Sequence, residues 1–224
     1  MNGLLTIAID GPSGAGKSTI AKAVAERLCI DYIDTGAMYR AIGYKMKKNG
    51  ISADESVKLA AMLENTDIDF VAGDIILDGN IVNDKIRTPD ISKRASVCSA
   101  LPSVREKLVA IQRNMGRKKS VIMDGRDIGS NVFPDAEFKF FLTASAEERA
   151  ERRHRELVEK GQSVSFEEVL EDIKQRDYRD MTRRLNPLRK AEDALEIDTT
   201  GLSIEDVTDK IIKEIENNGD SKTF

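Results

Sequence analysis

The chain contains the stretch Gly11-Pro12-Ser13-Gly14-Ala15-Gly16-Lys17-Ser18, which matches the pattern G-x-x-x-x-G-K-[ST] at every fixed position. The apolar run at residues 4–9 precedes it and predicts a strand. The residues that follow predict a helix over Lys17–Leu28. A strand, a glycine-rich turn and a helix in this order are typical of a P-loop, so we expect an α/β fold built around this segment.

The residue types in this stretch suit a nucleoside triphosphate. Glycines let backbone N–H groups converge on phosphates without a Cβ in the way, and the helix N-terminus adds partial positive charge. Lys17 is expected to reach the β- and γ-phosphates, and the Ser18 hydroxyl is expected to ligate Mg²⁺ as the cofactor of ATP. The predicted ATP-binding residues are Gly11, Pro12, Ser13, Gly14, Ala15, Gly16, Lys17, Ser18 and Thr19.

Two other interpretations of the glycine-rich stretch fit it less well. A chance turn would have to reproduce the whole pattern between a strand and a helix. A dinucleotide-binding site would use Gly14-Ala15-Gly16 and Asp34, but Thr19 occupies the place of the third glycine. That interpretation also gives Lys17 and Ser18 no role, so the sequence favours a nucleoside triphosphate.

Composition excludes several classes of protein. At 224 residues the chain is long enough for one α/β domain with insertions. A net charge of -4 and 5% aromatic residues argue against nucleic-acid binding. The single histidine, His154, and the separated Cys29 and Cys98 do not form a metal-binding pattern. The absence of a leader or a long apolar run predicts a cytoplasmic protein without membrane contact, and the absence of an apolar stripe predicts a monomer.

Further apolar runs predict buried parallel strands at residues 31–33, 121–123, 138–142 and 194–197. The pairs Ser52/Glu55, Ser145/Glu148 and Ser165/Glu168 predict capping boxes at helix starts. Residues 68–82 alternate short β-prone runs with Gly and Asp turns, which predicts an antiparallel insertion. Residues 217–224 are expected to fray.

The P-loop alone does not identify the class of P-loop protein or the molecule that would accept the phosphoryl group. The guanine-reading motif N-K-x-D of GTPases is absent, and Asp198-Thr199-Thr200-Gly201 lies too late in the chain for a switch element, so it predicts a turn. A motor or helicase would need a longer chain.

Several segments together resemble bacterial cytidylate kinases. The resemblance runs from Leu5 to about Val207 and is carried by Asp10 to Ser18, Asp34-Thr35-Gly36-Ala37-Met38-Tyr39-Arg40, Ile86-Arg87-Thr88, Val104-Arg105, Asp124-Gly125-Arg126-Asp127 and Arg176-Asp177-Tyr178-Arg179-Asp180. It implies a five-stranded parallel sheet wrapped by helices, a small antiparallel β insertion in a monophosphate-binding lobe, and a short helical lid. It places the core at residues 1–35, 110–149 and 190–224, the lobe at 36–109 and the lid with the arginine-rich region at 150–189, all in one domain.

The resemblance implies transfer of the γ-phosphoryl of ATP to CMP or dCMP, in pyrimidine nucleotide metabolism. Arginine suits the acceptor phosphate because its planar fork pairs with two oxygens. The implied phosphate clamp is Arg40, Arg126 and Arg183 with Thr35. Asp127 is implied to accept from the cytosine amine, with Ser96 and Arg105 as further base contacts and Arg176 and Asp180 as sugar contacts. Arg176 and Asp180 are also four residues apart and could form a surface pair.

The resemblance also places Asp124 near Mg²⁺, through water. The lid is expected around residues 151–163, and Arg149 and Arg153, one helical turn apart, are the arginines expected on the transferred phosphoryl. The predicted catalytic residues are therefore Lys17, Arg126, Arg149, Arg153 and Arg183. A solvated basic helix face remains the alternative for these lid arginines. Kinases of UMP, AMP or shikimate, and a nucleotide-dependent switch or nucleic-acid-binding ATPase, remain the alternative functions.

Overall fold

The computed structural model describes residues 4–219. In chain order its strands are β1 (Thr6–Asp10), β2 (Asp31–Asp34), β3 (Ile68–Val71), β4 (Asp74–Leu77), β5 (Asn80–Ile81), β6 (Val121–Gly125), β7 (Phe138–Thr143) and β8 (Leu195–Asp198). Its helices are α1 (Lys17–Leu28), α2 (Thr35–Lys48), α3 (Ser56–Glu64), α4 (Pro89–Cys98), α5 (Pro102–Gly116), α6 (Ala146–Glu159), α7 (Phe166–Thr182) and α8 (Ile204–Gly219), with a π-turn at Ile128–Val132.

The described residues divide into two compact units. Unit 1 comprises residues 4–32 and 119–219, and unit 2 comprises residues 33–118. The predicted division into core, lobe and lid within one domain stays a prediction.

A five-stranded parallel sheet has the order β2-β6-β1-β7-β8 and confirms the predicted fold class. β1 lies at its centre, in register with β6 from Thr6↔Val121 to Asp10↔Gly125. Parallel neighbours end at the same edge of a sheet, so the loops that follow Asp10 and Gly125 start side by side. The five predicted strands are all present, and each extends one or two residues beyond the apolar run into the residues that follow.

The core of unit 1 forms where the central strands meet α1 and α8. β1 is buried along most of its length because helices cover both faces of a parallel sheet. The inward side chains come from β1, α1, β6, β7, β8 and α8 and include Ile7, Ile9, Ile20, Val24, Ile122, Phe140, Leu142, Ile197, Val207 and Ile211.

Helix starts in unit 1 follow the predicted signals. α1 has the predicted bounds. Ser165 forms a complete capping box with Glu168 at the start of α7. Ser145 accepts from the Glu148 N–H at the start of α6, where only this half of the box is present.

Unit 2 contains the predicted antiparallel insertion. β3, β4 and β5 form a three-stranded sheet in that order, with β4 antiparallel to both neighbours. The predicted capping box at Ser52 and Glu55 is wrong as a helix cap. The two residues do bond to each other, but α3 begins at Ser56, after a turn in which the Glu55 N–H donates to the Ser52 carbonyl.

The chain end differs in part from the expectation of fraying at residues 217–224. α8 continues through Gly219, and the remainder of that segment lies outside the described residues. Among residues 4–219, no helix combines the length and apolar composition needed to cross a membrane.

Candidate active site

The loop between β1 and α1 turns sharply at Gly11. Its φ of 148° and the carbonyl oxygen of Leu142, which would lie 2.0 Å from an added Cβ, leave room for glycine alone. Gly16, the N-cap of α1, has a left-handed backbone conformation and places no side chain beside the first helical turn. The loop therefore presents backbone and a helix N-terminus, which together suit an anion.

Lys17 is the buried cation of this loop. Its Nζ donates to the Pro12 carbonyl at 2.7 Å, and its residue exposure is 5%. The pKa of Lys17 is lowered to about 7, chiefly by burial and also by the nearby charges of Arg126 and Arg176, against the opposing effect of Asp124. A phosphate placed here would offset this concentration of positive charge.

Ser18 and Asp124 meet at the edge of the sheet. The Ser18 hydroxyl donates to Asp124 Oδ2 at 3.0 Å, and the Tyr32 hydroxyl donates to Asp124 Oδ1 at 2.8 Å. Hydroxyl and carboxylate oxygens are the metal ligands that Mg²⁺ prefers, together with the oxygens of water and phosphate. The donor set therefore fits the predicted magnesium site.

Two buried ion pairs follow β6. Arg126 Nε donates to Asp180 Oδ2 at 2.8 Å, and Arg183 Nη2 donates to Asp127 Oδ1 at 2.9 Å. Burial alone would raise the pKa of Asp180, but the charges of Arg126, Arg176 and Arg183 outweigh it and lower the pKa. The structure thus brings the predicted phosphate, base and sugar residues of unit 1 into one cluster.

The alternative of a surface pair between Arg176 and Asp180 is wrong for Asp180. Its residue is 7% exposed, and its carboxylate bonds to Arg126 on another element. The positive charge of Arg176 lowers the pKa of both Lys17 and Asp180, so Arg176 lies near both groups.

The predicted site residues of unit 2 lie on α2, α4 and α5. Asp34 caps α2 by accepting from the Ala37 N–H, and it also accepts from Arg40 Nη2 at 2.7 Å. Arg40 Nε is buried without a hydrogen-bond acceptor among the described residues. Thr35, the first residue of α2, is buried.

Arg105 is nearly fully buried on α5. Its guanidinium lies 5.8 Å from the centre of the Tyr39 ring, and its Nη1 donates to the Ser99 carbonyl at 3.3 Å. Ser96 is half-buried on α4, and its carbonyl accepts from the Ser99 hydroxyl. Ser99 thus links the two predicted base contacts.

The arginines of α6 take different positions. Arg149 is buried and donates through Nη1 to the Ser13 carbonyl of the P-loop at 2.9 Å and to Asp177 at 2.7 Å. Arg153 instead pairs with Glu156 at 3.0 Å and is about half exposed. The four-residue spacing therefore does not bring Arg153 into the same surroundings as Arg149.

Arg152, unlike Arg153, lies close to the P-loop. Its Nη2 donates to the Thr199 carbonyl at 2.9 Å, and its Nη1 lies 3.9 Å from the place of a Cβ on Gly16. The solvated-face alternative thus fits Arg153 better than Arg149 or Arg152.

Sequence reasoning did not assign roles to Asp10, Tyr32 or Asp177. Asp177 orients Arg149, Tyr32 orients Asp124, and Asp10 bonds to the turn after Asp127. Asp10 and Asp177 lie inside the sequence segments that resemble cytidylate kinases, so their position in the sequence marks them as candidates. The partner of each side chain depends on the folded structure.

Comparison with known proteins identifies the family of the chain. A family model described as cytidylate kinase matches residues 7–217. The chain is 55% identical to a cytidylate kinase of Clostridium perfringens (strain SM101 / Type A), over 94% of this chain and 97% of that protein. It is 50% identical to a cytidylate kinase of Bacillus subtilis (strain 168), over 95% and 96% of the two chains.

Solved structures of other small-molecule kinases share the fold. A shikimate kinase from Bacteroides thetaiotaomicron matches with a TM-score of 0.52 at 14% identity, over 96% of this chain and 99% of that one. A gluconokinase from Sinorhizobium meliloti 1021 matches with a TM-score of 0.51 at 14% identity, over 98% of both. These likenesses extend to the fold alone, whereas the sequence matches cover nearly the whole chain at high identity. The chain therefore belongs to the cytidylate kinase family.

Proposed function

We propose that this protein transfers the γ-phosphoryl group of ATP to CMP or dCMP and releases ADP with CDP or dCDP. The observation that carries the proposal is the buried carboxylate of Asp127. It follows β6, the strand that pairs with the one leading into the P-loop. The P-loop accounts for ATP as the phosphoryl donor. The buried carboxylate, which accepts hydrogen bonds, accounts for a phosphoryl acceptor whose base carries an exocyclic amine.

On the donor side, the loop from Gly11 to Thr19 holds the ATP phosphates through backbone N–H groups and Lys17. Ser18 would hold Mg²⁺ directly and Asp124 would hold it through water, as their oxygen atoms permit. The ion, when bound, supplies positive charge to the phosphate oxygens. Tyr32 keeps Asp124 oriented through its 2.8 Å hydrogen bond.

On the acceptor side, arginines bind the phosphate of CMP or dCMP. Arg40, with its unsatisfied buried Nε, needs an acceptor that a phosphate would provide. Arg126, Arg183 and Thr35 complete the proposed clamp. Ser96 and Arg105 are the proposed further base contacts, and Arg176 and Asp180 are the proposed sugar contacts.

Asp127 discriminates cytosine from uracil in this proposal. Its carboxylate accepts from Arg183 and from Asn131 Nδ2. Two carboxylate oxygens offer about four lone-pair sites, and the exocyclic amine of cytosine is a donor that such a group can accept from. Uracil would present a carbonyl oxygen to the same group, and two acceptors facing each other are repulsive.

Transfer needs no covalent intermediate. Phosphoryl transfer through a loose transition state depends on in-line positioning and on cations at the equatorial oxygens. Lys17, Arg126 and Arg183 are the proposed stabilising cations. Arg149 fixes the P-loop through the Ser13 carbonyl. Arg149 and Arg153 remain the proposed contacts to the transferred group, and a cytoplasmic monomer remains the proposed state.

The test is the substitution Asp127→Asn, assayed by steady-state kinetics with CMP and UMP. The amide keeps the shape and one acceptor for Arg183, but it offers an N–H to the base. We expect kcat/KM for CMP to fall by about 10²- to 10⁴-fold, and kcat/KM for UMP to fall far less.

Asp135→Asn is the matched control, because Asp135 is an exposed carboxylate a short distance along the chain. It should leave both substrates unaffected. Equal losses with CMP and UMP would remove Asp127 from base recognition. A wild-type preference for AMP, or stimulation of ATP turnover by RNA rather than by CMP, would overturn the proposed function.

A further inference from the structure

The turn that follows Asp127 is held from another strand. The backbone N–H groups of Ile128 and Gly129 donate to the two carboxylate oxygens of Asp10, each at 2.8 Å. The first N–H groups of a helical turn have no partner within the turn. Asp10 therefore acts as the cap of the π-turn although it lies at the end of β1.

Asp127 occupies the cap position of this turn but does not cap it. Its backbone carbonyl accepts from the N–H groups of Asn131 and Val132, whereas its side chain makes no cap hydrogen bond. An aspartate at such a position ordinarily bonds to the N–H groups of the first turn. Asp10 accepts from the Ile128 and Gly129 N–H groups in its place, and the Asp127 carboxylate bonds instead to Arg183 and Asn131.

The opposite side of the turn is closely packed. A Cβ on Gly129 would lie 3.2 Å from Lys139 Cδ and 3.5 Å from Ala8 Cβ. The turn is thus fixed between the Asp10 carboxylate and the side chains of β7 and β1. A shift of the turn would carry Asp127 with it.

We propose that Asp10 is a positioning residue for recognition of the cytosine base, acting by capping the π-turn so that the Asp127 side chain is left to face the base. The inference rests on the proposed function. Asp10 also directly precedes Gly11, so the same residue joins the P-loop to the turn that carries the base reader. Burial raises the pKa of Asp10 despite its two amide donors. The fold therefore holds a carboxylate at a buried position that disfavours its ionised form, as is common at functional sites.

The direct test is Asp10→Asn. An asparagine replaces one of the two carboxylate oxygens by an N–H₂ group, which would face a backbone N–H instead of accepting from it, so we expect the turn to shift. We expect kcat/KM for CMP to fall by about 10- to 100-fold, since small misplacements of a recognition group have effects of this size. The preference for CMP over UMP should fall with it, whereas KM for ATP should change by less than about twofold.

Gly129→Ala moves the same turn without touching Asp10. It should give the same pattern in weaker form, with a loss confined to CMP. Asp206→Asn is the matched control, because the Asp206 carboxylate also accepts a backbone N–H, from Ser203, at the start of α8. It should leave the kinetics with CMP, UMP and ATP unchanged.

A second measurement does not depend on activity. Amide hydrogen exchange at Ile128 and Gly129 should be faster in Asp10→Asn than in the wild type, at equal global stability, because their acceptors are weakened. Slow exchange at both amides in the variant would show that Asp10 does not cap the turn.

The outcomes separate the inference from the proposed function. A folded Asp10→Asn enzyme with an unchanged preference for CMP over UMP would overturn the inference and leave the proposed function intact. Equal losses with CMP, UMP and ATP would also overturn it, because they would indicate general damage. A wild-type enzyme that does not phosphorylate CMP would overturn both.

Discussion

At the scale of single residues, Asp10 carries a charge that its surroundings disfavour. Burial raises its pKa from 3.8 to about 6, against the lowering effect of the Ile128 and Gly129 N–H groups. This net value also includes smaller effects of two nearby charges: Asp127 raises the pKa and Lys17 lowers it. In the unfolded chain Asp10 titrates near the ordinary value.

This shift predicts how stability depends on pH. As pH falls from 6 to 3.8, folded Asp10 takes up a proton before unfolded Asp10 does, so its contribution to stability increases. That contribution is lost as pH rises through 6. The free energy of unfolding of the wild type, relative to Asp10→Asn, should therefore rise by at most about 3 kcal/mol between pH 7 and pH 4, measured by urea unfolding.

Asp206→Asn provides a control of opposite sign. Hydrogen bonds from the Ser203 side chain and backbone lower the pKa of Asp206, so its contribution to stability is lost as pH falls. The wild type should lose stability relative to Asp206→Asn over the same range. A flat difference between wild type and Asp10→Asn would contradict the assigned pKa of Asp10.

Individual site residues differ in how far the sequence predicts them. Lys17 and Ser18 follow from a local pattern, because a strand, a loop and a helix place them without help from distant segments. Asp10 and Tyr32 act through partners more than ninety positions away in the sequence. No spacing within the chain encodes those contacts, so only the fold identifies them.

At the scale of helices and strands, α7 carries Arg176, Asp177 and Asp180 of the candidate site, and its start depends on one serine. Ser165 accepts from the Glu168 N–H, and Glu168 accepts from the Ser165 N–H. Ser165→Ala should lower the free energy of unfolding by about 1 kcal/mol, measured by urea unfolding, because it leaves the first turn of α7 without its cap.

Ser52→Ala is the matched comparison, because Ser52 lies in the same S-x-x-E pattern without capping a helix. It should change stability by less than about 0.5 kcal/mol. Equal losses in the two variants would mean that the pattern, and not the position at a helix start, determines the effect.

The strands were predictable and the helix starts only in part. Apolar runs indicate buried strands because helices cover both faces of the sheet. This requirement for apolar side chains holds whichever residues the strand packs against. A capping pattern only permits a helix to begin. At Ser52 the chain instead makes a turn, and α3 starts four residues later, at Ser56.

At the scale of the whole molecule, ligand binding should be visible in thermal stability. A ligand that binds only the folded state at a hundred times its Kd stabilises by about 2.7 kcal/mol. For a chain of this length that corresponds to a rise in Tm of about 5 to 10 °C. We expect CMP to give such a shift in a thermal unfolding assay, and UMP and AMP at the same concentration to give smaller ones. Asp127→Asn should reduce the shift with CMP but not the shift with ADP and Mg²⁺, because only the acceptor contact is changed. A shift with AMP as large as that with CMP would contradict cytosine recognition.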